Sequence, residues 1–167
     1  RLDEFNLLLI EQPIFEEDLL GHAKLADYIE TPVCLDETII SADIARDAIE
    51  LGAAEIINIK PSRVGGYIES VKIHDISVAN GVPVWCGGML ETGIGRAANL
   101  ALAAMPGFTL PGDTSASSRY FETDLTEPFV LVDGHISVPT GPGIGVDPIP
   151  EIIDRFAVSR DWIKRPK

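Results

Sequence analysis

Three charged side chains close three apolar segments of the chain at nearly equal spacing. Glu11 ends the first segment, Asp36 follows it by 25 residues, and Lys60 follows Asp36 by 24. Two neighbouring carboxylates suit a hard divalent cation such as Mg²⁺, which takes oxygen ligands. A lysine at the end of an apolar strand loses solvation, so its neutral, proton-accepting form is favoured. Together these residues suit proton removal next to a carboxylate, with a metal balancing the charge that develops.

Each of the three residues also has a plainer interpretation. Strand-end acids are often satisfied by the N-termini of helices, and a lone lysine often extends from a strand end into solvent. Lys60 is not alone, however, because the carboxylates close the two preceding strands. The combination of Glu11, Asp36 and Lys60 therefore favours the catalytic interpretation.

The elements that would position these residues form a repeat of strand, loop and helix. Apolar runs without polar alternation, separated by helical patterns, are typical of a parallel sheet. The predicted strands cover residues 5–13, 32–37, 55–60, 82–86 and 108–113, and the predicted helices cover 18–30, 42–51, 67–80, 96–104 and 150–157. Because side chains alternate along a strand, Asn58 and Lys60 should share one face of the sheet. Residues 129–139 predict a hairpin that turns at Asp133 and Gly134.

Composition and net charge exclude several classes of binding partner. The chain has 167 residues and a net charge of −13, which argues against nucleic acid or an anionic membrane as a partner. No apolar run reaches membrane-spanning length. Cys34 and Cys86 lie in apolar runs and are expected to be buried free thiols of a cytoplasmic protein. His22 and His74 are predicted on the surfaces of helices, without a metal-ligand partner.

Four motifs, taken in order, resemble the enolase superfamily, and within it the branch of o-succinylbenzoate synthases and N-acylamino acid racemases. They are Ile-Glu-Gln-Pro at 10–13, Leu-Asp-Glu at 35–37, Asn-Ile-Lys-Pro-Ser-Arg-Val-Gly-Gly at 58–66 and Gly-Gly-Met-Leu-Glu at 87–91. The resemblance implies an α/β fold, namely the C-terminal half of an enolase-type (β/α)₇β TIM barrel. Residues 1–125 would supply strands four to eight of the barrel, and residues 126–167 would pack toward a capping domain.

The resemblance also implies roles for individual residues. Glu11 and Asp36 would be Mg²⁺ ligands, with Mn²⁺ or another divalent ion as an alternative, and Lys60 would be a catalytic base. Glu37 and Asn58 would support the metal ligands. The substrate-binding residues would be Gly88, Met89, Leu90 and Asp113. A further ligand aspartate and a partner lysine would lie on strands that this chain does not contain, so the chain alone is expected to be inactive.

The implied reaction is Mg²⁺-dependent proton abstraction α to a carboxylate through a metal-stabilised enolate. It would serve dehydration to o-succinylbenzoate for menaquinone biosynthesis, racemisation of N-acylamino acids, or both. A dipeptide epimerase, a cycloisomerase and a non-catalytic α/β binding fragment remain alternatives. The implied partner is a small-molecule carboxylate substrate, without nucleic acid or membrane, and the full-length protein is expected to form a homo-oligomer.

Overall fold

In the computed structural model, which describes residues 2–164, four short strands form one parallel sheet. The strands lie in the order in which they occur along the chain: β1 (Ile10–Glu11), β2 (Val33–Leu35), β3 (Ile56–Ile59) and β4 (Val84–Cys86). The register pairs Glu11 with Cys34, Cys34 with Ile56, and Asn58 with Trp85. Parallel neighbours in sequence order require a crossover between each pair, and helices supply it.

Six α-helices accompany the sheet among the described residues. They are α1 (Leu19–Ala26), α2 (Ala42–Glu50), α3 (Pro61–Val64), α4 (Tyr67–Ala79), α5 (Gly93–Ala103) and α6 (Pro150–Phe156). Ser41 caps α2 as its sequence predicts, because its hydroxyl accepts a hydrogen bond from the Ile44 amide. Gly52 follows this helix with a φ of 69°, the left-handed conformation that lets the chain turn into β3. The one-turn helix α3, directly after Lys60, has no counterpart in the sequence prediction.

The described chain divides into two compact units, and the division falls within α5. The first unit contains residues 2–89 and Asn99–Thr114, and therefore the whole sheet. The second unit contains Leu90–Ala98 and residues 115–164. The assignment of 126–167 to a capping domain stays a prediction, and its last three residues lie outside the described part of the chain.

The two faces of the sheet bury different sets of side chains, as strand alternation requires. One face packs against helices, and Leu35, Ile57, Ile59 and Val84 belong to its apolar core. The other face buries a smaller cluster formed by Cys34, Ile56 and Trp85. Ile10 packs with the larger core, so the next residue, Glu11, belongs to the face that carries the smaller cluster.

The first and fifth predicted strands are wrong in extent. Positive φ values at Asn6 and Gln12 break the extended run that was predicted over residues 5–13, and β1 keeps only two residues. In place of a fifth strand over 108–113, the described chain has a single parallel bridge between Val84 and Phe108. Pro111 has no N–H with which to continue a ladder there. The sheet therefore has four strands and not five.

The hairpin predicted over residues 129–139 is also wrong as a pair of strands. Its turn forms as predicted, with φ values of 50° at Asp133 and 76° at Gly134, but only one antiparallel bridge joins Val132 to His135. Val130 and Val132 are largely exposed, so no buried face stabilises a longer ladder.

The prediction of surface positions for His22 and His74 is wrong, because both side chains are buried. Each imidazole replaces water with hydrogen bonds inside the protein. His22 Nδ1 contacts the Asp18 carbonyl, and His74 Nε2 contacts the Pro106 carbonyl. None of the helices within residues 2–164 is long and apolar enough to cross a bilayer.

Candidate active site

The carboxyl ends of β1, β2 and β3 bring the predicted catalytic residues to one face of the sheet. Asp36 follows Cys34 by two residues, and Lys60 follows Asn58 and Ile56 at the same interval, so all of them share the face opposite the helix-packed core. The Lys60 ammonium lies 2.6 Å from Asp36 Oδ2. The strand-end acid and the strand-end lysine therefore meet directly, as the parallel arrangement predicts.

Arg63 is a further member of the site that the sequence analysis missed. Its Nη1 donates to Asp36 Oδ1, its Nη2 donates to the Asn58 carbonyl at 2.6 Å, and its Nε donates to the Ile39 carbonyl at 2.8 Å. Arg63 lies three positions after Lys60, and the single turn of α3 spans that interval. Helical i, i+3 spacing within Lys-Pro-Ser-Arg was the signal that could have identified it.

Asn58 connects the first strand to the third. Its Nδ2 donates to Glu11 Oε1 at 2.9 Å, although the side chain itself is completely buried. Its other amide atom, Oδ1, is buried and has no hydrogen-bond partner among the described residues. A buried acceptor without a donor is costly, so this atom marks a place in the site where a polar group is lacking.

Gly87, just after β4, leaves room for two of these side chains. A Cβ atom at this position would lie 2.4 Å from Asn58 Oδ1 and 2.5 Å from Lys60 Cε. Both distances are far below van der Waals contact. The site therefore depends on the absence of a side chain at residue 87.

The remaining predicted site residues lie at different places. Glu37 and Met89 line an open cleft of about 300 Å³ with Lys60 and Arg63. The Gly88 amide donates to Asp113 Oδ1, which joins these two predicted substrate-binding residues. Leu90 is 70% exposed and belongs to the second unit. The substrate-binding roles of these residues stay predictions.

Cys34 lies on the same face as the two acids. Burial, together with the negative charges of Glu11 and Asp36, raises the pKa of its thiol to about 12, although the hydrogen bond from Trp85 lowers it. Trp85 Nε1 lies 3.4 Å from the Cys34 sulfur. Cys34 is thus a buried free thiol, as predicted, and its sulfur stays protonated.

The donor set at this face fits a magnesium ion in part. Glu11 and Asp36 supply the hard carboxylate oxygens that Mg²⁺ selects, and Mg²⁺ commonly uses only one or two protein carboxylates together with substrate and water. The unpartnered Oδ1 of Asn58 also leaves an acceptor for a bound water or substrate group. No cluster of three or more His, Cys, Asp or Glu side chains that could hold a metal occurs within residues 2–164.

Known proteins share this sequence over nearly its full length. The family described as enolase C-terminal domain-like matches residues 1–152. An N-succinylamino acid racemase from Amycolatopsis is 66% identical over 163 residues, which are 98% of this chain and 44% of the racemase. An o-succinylbenzoate synthase from Bacillus subtilis is 51% identical over 161 residues, which are 96% of this chain and 43% of the synthase.

A solved structure agrees with these sequence matches. The crystal structure of an enolase superfamily member from Listeria innocua superposes with a TM-score of 0.91 at 43% identity, covering 95% of this chain and 43% of that one. The chain thus spans less than half the length of the relatives that it matches. The fold class predicted from the sequence is confirmed, and the chain belongs to the enolase C-terminal domain-like family.

Proposed function

We propose that the full-length enzyme that carries this chain removes a proton α to a carboxylate, and that its reaction is the racemisation of N-succinylamino acids. The contact between Lys60 and Asp36 at the strand ends carries this proposal. It places a basic side chain directly beside a candidate metal ligand. The 66% identity to a protein named N-succinylamino acid racemase supports the choice of substrate.

In this proposal Glu11 and Asp36 hold the divalent cation, Mg²⁺ or Mn²⁺, as two of its ligands. The cation would stabilise the negative charge that develops on the substrate carboxylate when the α-proton leaves. Glu11 is held by the Asn58 amide, and Asp36 by Lys60 and Arg63. Asn58 is a neutral donor, so it fixes the carboxylate of Glu11 on its strand without adding a counter-charge.

In this proposal Lys60 accepts the proton at its Nζ as the neutral amine, and it returns the proton as the ammonium that pairs with Asp36. Its side chain is 17% exposed, so it reaches the cleft formed with Glu37 and Met89 while its stem stays packed. Arg63 is an always-charged guanidinium, and it keeps Asp36 paired when Lys60 turns toward a substrate. Racemisation needs a proton carrier on each face of the substrate, and Lys60 is proposed for one of them.

Dehydration to o-succinylbenzoate is the second candidate reaction, because the 51% identical relative from Bacillus subtilis is named a synthase. Both reactions begin with the same proton removal. A site built from Glu11, Asp36 and Lys60 would therefore support either one. The two are separated by assaying one purified enzyme with both substrates.

Substitution of Lys60 by alanine tests the role of this base. In the full-length enzyme, Lys60→Ala should lower the racemisation rate by about 10²–10⁴-fold, the usual contribution of a general base. Exchange of the substrate α-proton with deuterated water should persist for one enantiomer only. Lys72→Ala is the matched control, since Lys72 is 60% exposed in an ion pair with Glu69. Equal exchange of both enantiomers by Lys60→Ala would refute the assignment.

A further inference from the structure

Gln12 has an unusual backbone conformation next to the candidate metal ligand Glu11. Its φ is 39°, in the left-handed region that residues with a Cβ enter only at an energetic cost. The other described non-glycine residues with positive φ are Asn6 and Asp133, whose short polar side chains tolerate this region. Glutamine has no such local compensation. Contacts further along the chain must therefore hold Gln12 in place.

The Gln12 side chain makes four hydrogen-bond contacts, which use its full capacity. Its Oε1 accepts from the Asp36 amide at 2.9 Å and from the Thr38 amide at 3.3 Å. Its Nε2 lies 2.8 Å from Thr38 Oγ1 and 3.3 Å from His22 Nε2. A glutamine from the first strand end thus holds the backbone of the second.

The neighbouring groups determine how the Gln12 amide is oriented. The Thr38 hydroxyl donates to the Glu16 carbonyl, so its oxygen is free to accept from Gln12 Nε2. His22 Nδ1 lies 2.9 Å from the Asp18 carbonyl, which can only accept. The proton of His22 is therefore on Nδ1, and its Nε2 accepts from Gln12. Reversing the amide would break both contacts and would also leave two backbone N–H groups facing an NH₂ group.

These contacts connect the two candidate metal ligands. Glu11 precedes Gln12 in the chain, and the Gln12 side chain fixes the backbone N–H of Asp36. The carboxylate of Asp36 receives hydrogen bonds only from the side chains of Lys60 and Arg63 among the described residues. The backbone position of Asp36 is thus set from the first strand, while its carboxylate is held by groups that can change conformation.

We propose that Gln12 is a positioning residue that sets the separation of the Glu11 and Asp36 carboxylates for a divalent cation, with His22 and Thr38 fixing the orientation of its amide. This inference rests on the proposed metal site. Residues that orient metal ligands from behind commonly contribute about 10–100-fold to metal affinity. Gln12 would therefore act on cation binding without touching substrate or cation.

Mn²⁺ titration of the full-length enzyme by isothermal calorimetry tests the proposal without measuring activity. Gln12→Met keeps the length of the side chain and removes all four hydrogen bonds, so Mn²⁺ affinity should fall by about 10–100-fold. Gln12→Glu keeps the oxygen that accepts from the Asp36 and Thr38 amides and loses only the two contacts of Nε2, so it should retain more of the affinity than Gln12→Met. Rescue by the glutamate variant separates a positioning role from a general loss of stability.

Ile73→Ala provides the matched control for stability. Ile73 is completely buried in the helix-packed core, on the face of the sheet away from the two acids. Its substitution should lower the thermal midpoint at least as much as Gln12→Met and leave Mn²⁺ affinity unchanged. Equal affinities of Gln12→Met and Ile73→Ala would overturn the positioning role.

Two further variants keep the result interpretable. Thr38→Val removes the hydroxyl oxygen that accepts a hydrogen bond from Gln12 Nε2. This variant serves as the test if Gln12→Met fails to fold. It should weaken Mn²⁺ binding by a smaller factor than Gln12→Met, and unchanged affinity would contradict the proposal.

Asp36→Asn tests the metal site itself. If Asp36→Asn loses affinity and the Gln12 variants do not, only the positioning role fails, whereas unchanged affinity in Asp36→Asn would remove the proposed metal site.

Discussion

Asp36 in the first unit and Asp124 in the second are both buried and both paired with an arginine, yet they are held in different ways. Each side chain belongs to a residue only 3% exposed. Asp36 is paired with Arg63 and Lys60, and Asp124 with Arg96 at 3.3 Å. From the pairing alone the two aspartates would be assigned the same role.

The carboxylate of Asp124 is fixed by backbone groups. Its Oδ1 accepts from the amides of Gly93 and Leu125, each at 2.7 Å, and its Oδ2 accepts from the Ser117 hydroxyl at 2.5 Å. Arg96 is 1% exposed and has two donor nitrogens, Nε and Nη2, without a partner among the described residues. This arrangement has no exposed charge to offer a substrate, and it caps the first turn of α5.

The carboxylate of Asp36 is contacted by long side chains whose rotamers can change. Lys60 and Arg63 are 17% and 15% exposed, at the edge of an open cleft. A cation or a substrate can therefore compete for Asp36 without breaking secondary structure. The two acids are equally buried and differ in their partners, and this difference is what supports a proposed chemical role for Asp36 and a structural one for Asp124.

The largest effect is expected from Asp36→Asn. The amide keeps the shape of the carboxylate but removes the charge that a hard cation favours, and it leaves Lys60 and Arg63 without their shared partner. We expect kcat/KM of the full-length enzyme to fall about 1,000-fold, equivalent to about 4 kcal/mol at the transition state. Steady-state kinetics at several Mg²⁺ concentrations measures it. If Asp36→Asn keeps the turnover rate of the wild type at limiting Mg²⁺, Asp36 is not a metal ligand and does not differ in role from Asp124.

Asp124→Asn should act on stability alone. One side of the new amide presents an NH₂ group to Arg96, so a buried guanidinium loses its counter-charge. Breaking a buried pair in this way costs about 3–5 kcal/mol of unfolding free energy. Urea denaturation of the full-length enzyme measures this cost, with Asp154→Asn as the control, since the Asp154–Arg160 pair is 65% and 62% exposed. A loss of kcat in a variant of normal stability would mean that Asp124 also serves the chemistry.

The two arginines offer a smaller and sharper test. Arg63→Gln leaves the carbonyls of Asn58 and Ile39 without their donor, which should cost about 1–3 kcal/mol of unfolding free energy. Arg96→Gln should cost more, because Arg96 is less exposed and its carboxylate partner is fixed by backbone amides. Chemical denaturation of both variants shows which substitution lowers the free energy of unfolding more. The reverse order would show that the pairing in the first unit is the more structural of the two.

The smallest effect is expected at Cys34. With a thiol pKa of about 12, only about one molecule in ten thousand carries a thiolate at pH 8. An aromatic disulfide reagent should therefore label Cys34 only when the first unit opens, and labelling should accelerate in urea together with unfolding. Cys34→Ser removes the signal and identifies the residue, since Cys86 is the other free thiol of the chain. Rapid labelling of the folded protein would contradict the burial of this face.

The first unit was largely predictable because an apolar core leaves a periodic pattern. The spacing of buried residues along the strands gave the parallel order, and the alternation at Asn58 and Lys60 gave the face of the site. Strand lengths were overestimated, since Asn6 and Gln12 adopt left-handed backbone conformations that no hydrophobic pattern encodes. The i, i+3 spacing could have placed Arg63 beside Lys60, but the contacts of Gln12 and Arg63 with Asp36 join different repeats and became visible only in three dimensions.

The second unit was poorly predictable for the opposite reason. Its buried residues are mostly polar: Gly93, Arg96, Ala97, Ser117, Asp124 and Thr126. Hydrogen bonds between residues 28 and 31 positions apart define this interior. The sequence analysis assigned no role to Ser117 or to Asp124. No local signal distinguishes them from surface residues of the same types.

Gly87 is a single position from which the geometry of the candidate site could be changed by protein engineering. Its φ is not in the glycine-favouring region, and the atoms that an added methyl would meet belong to Asn58 and Lys60, not to the main chain. An alanine there would have to shift the ends of those two side chains, while the strands of the sheet could keep their course. In the proposed enzyme, variants at residue 87 would therefore change the orientation of Lys60, the proposed base, at the cost of displacing the buried Asn58 side chain.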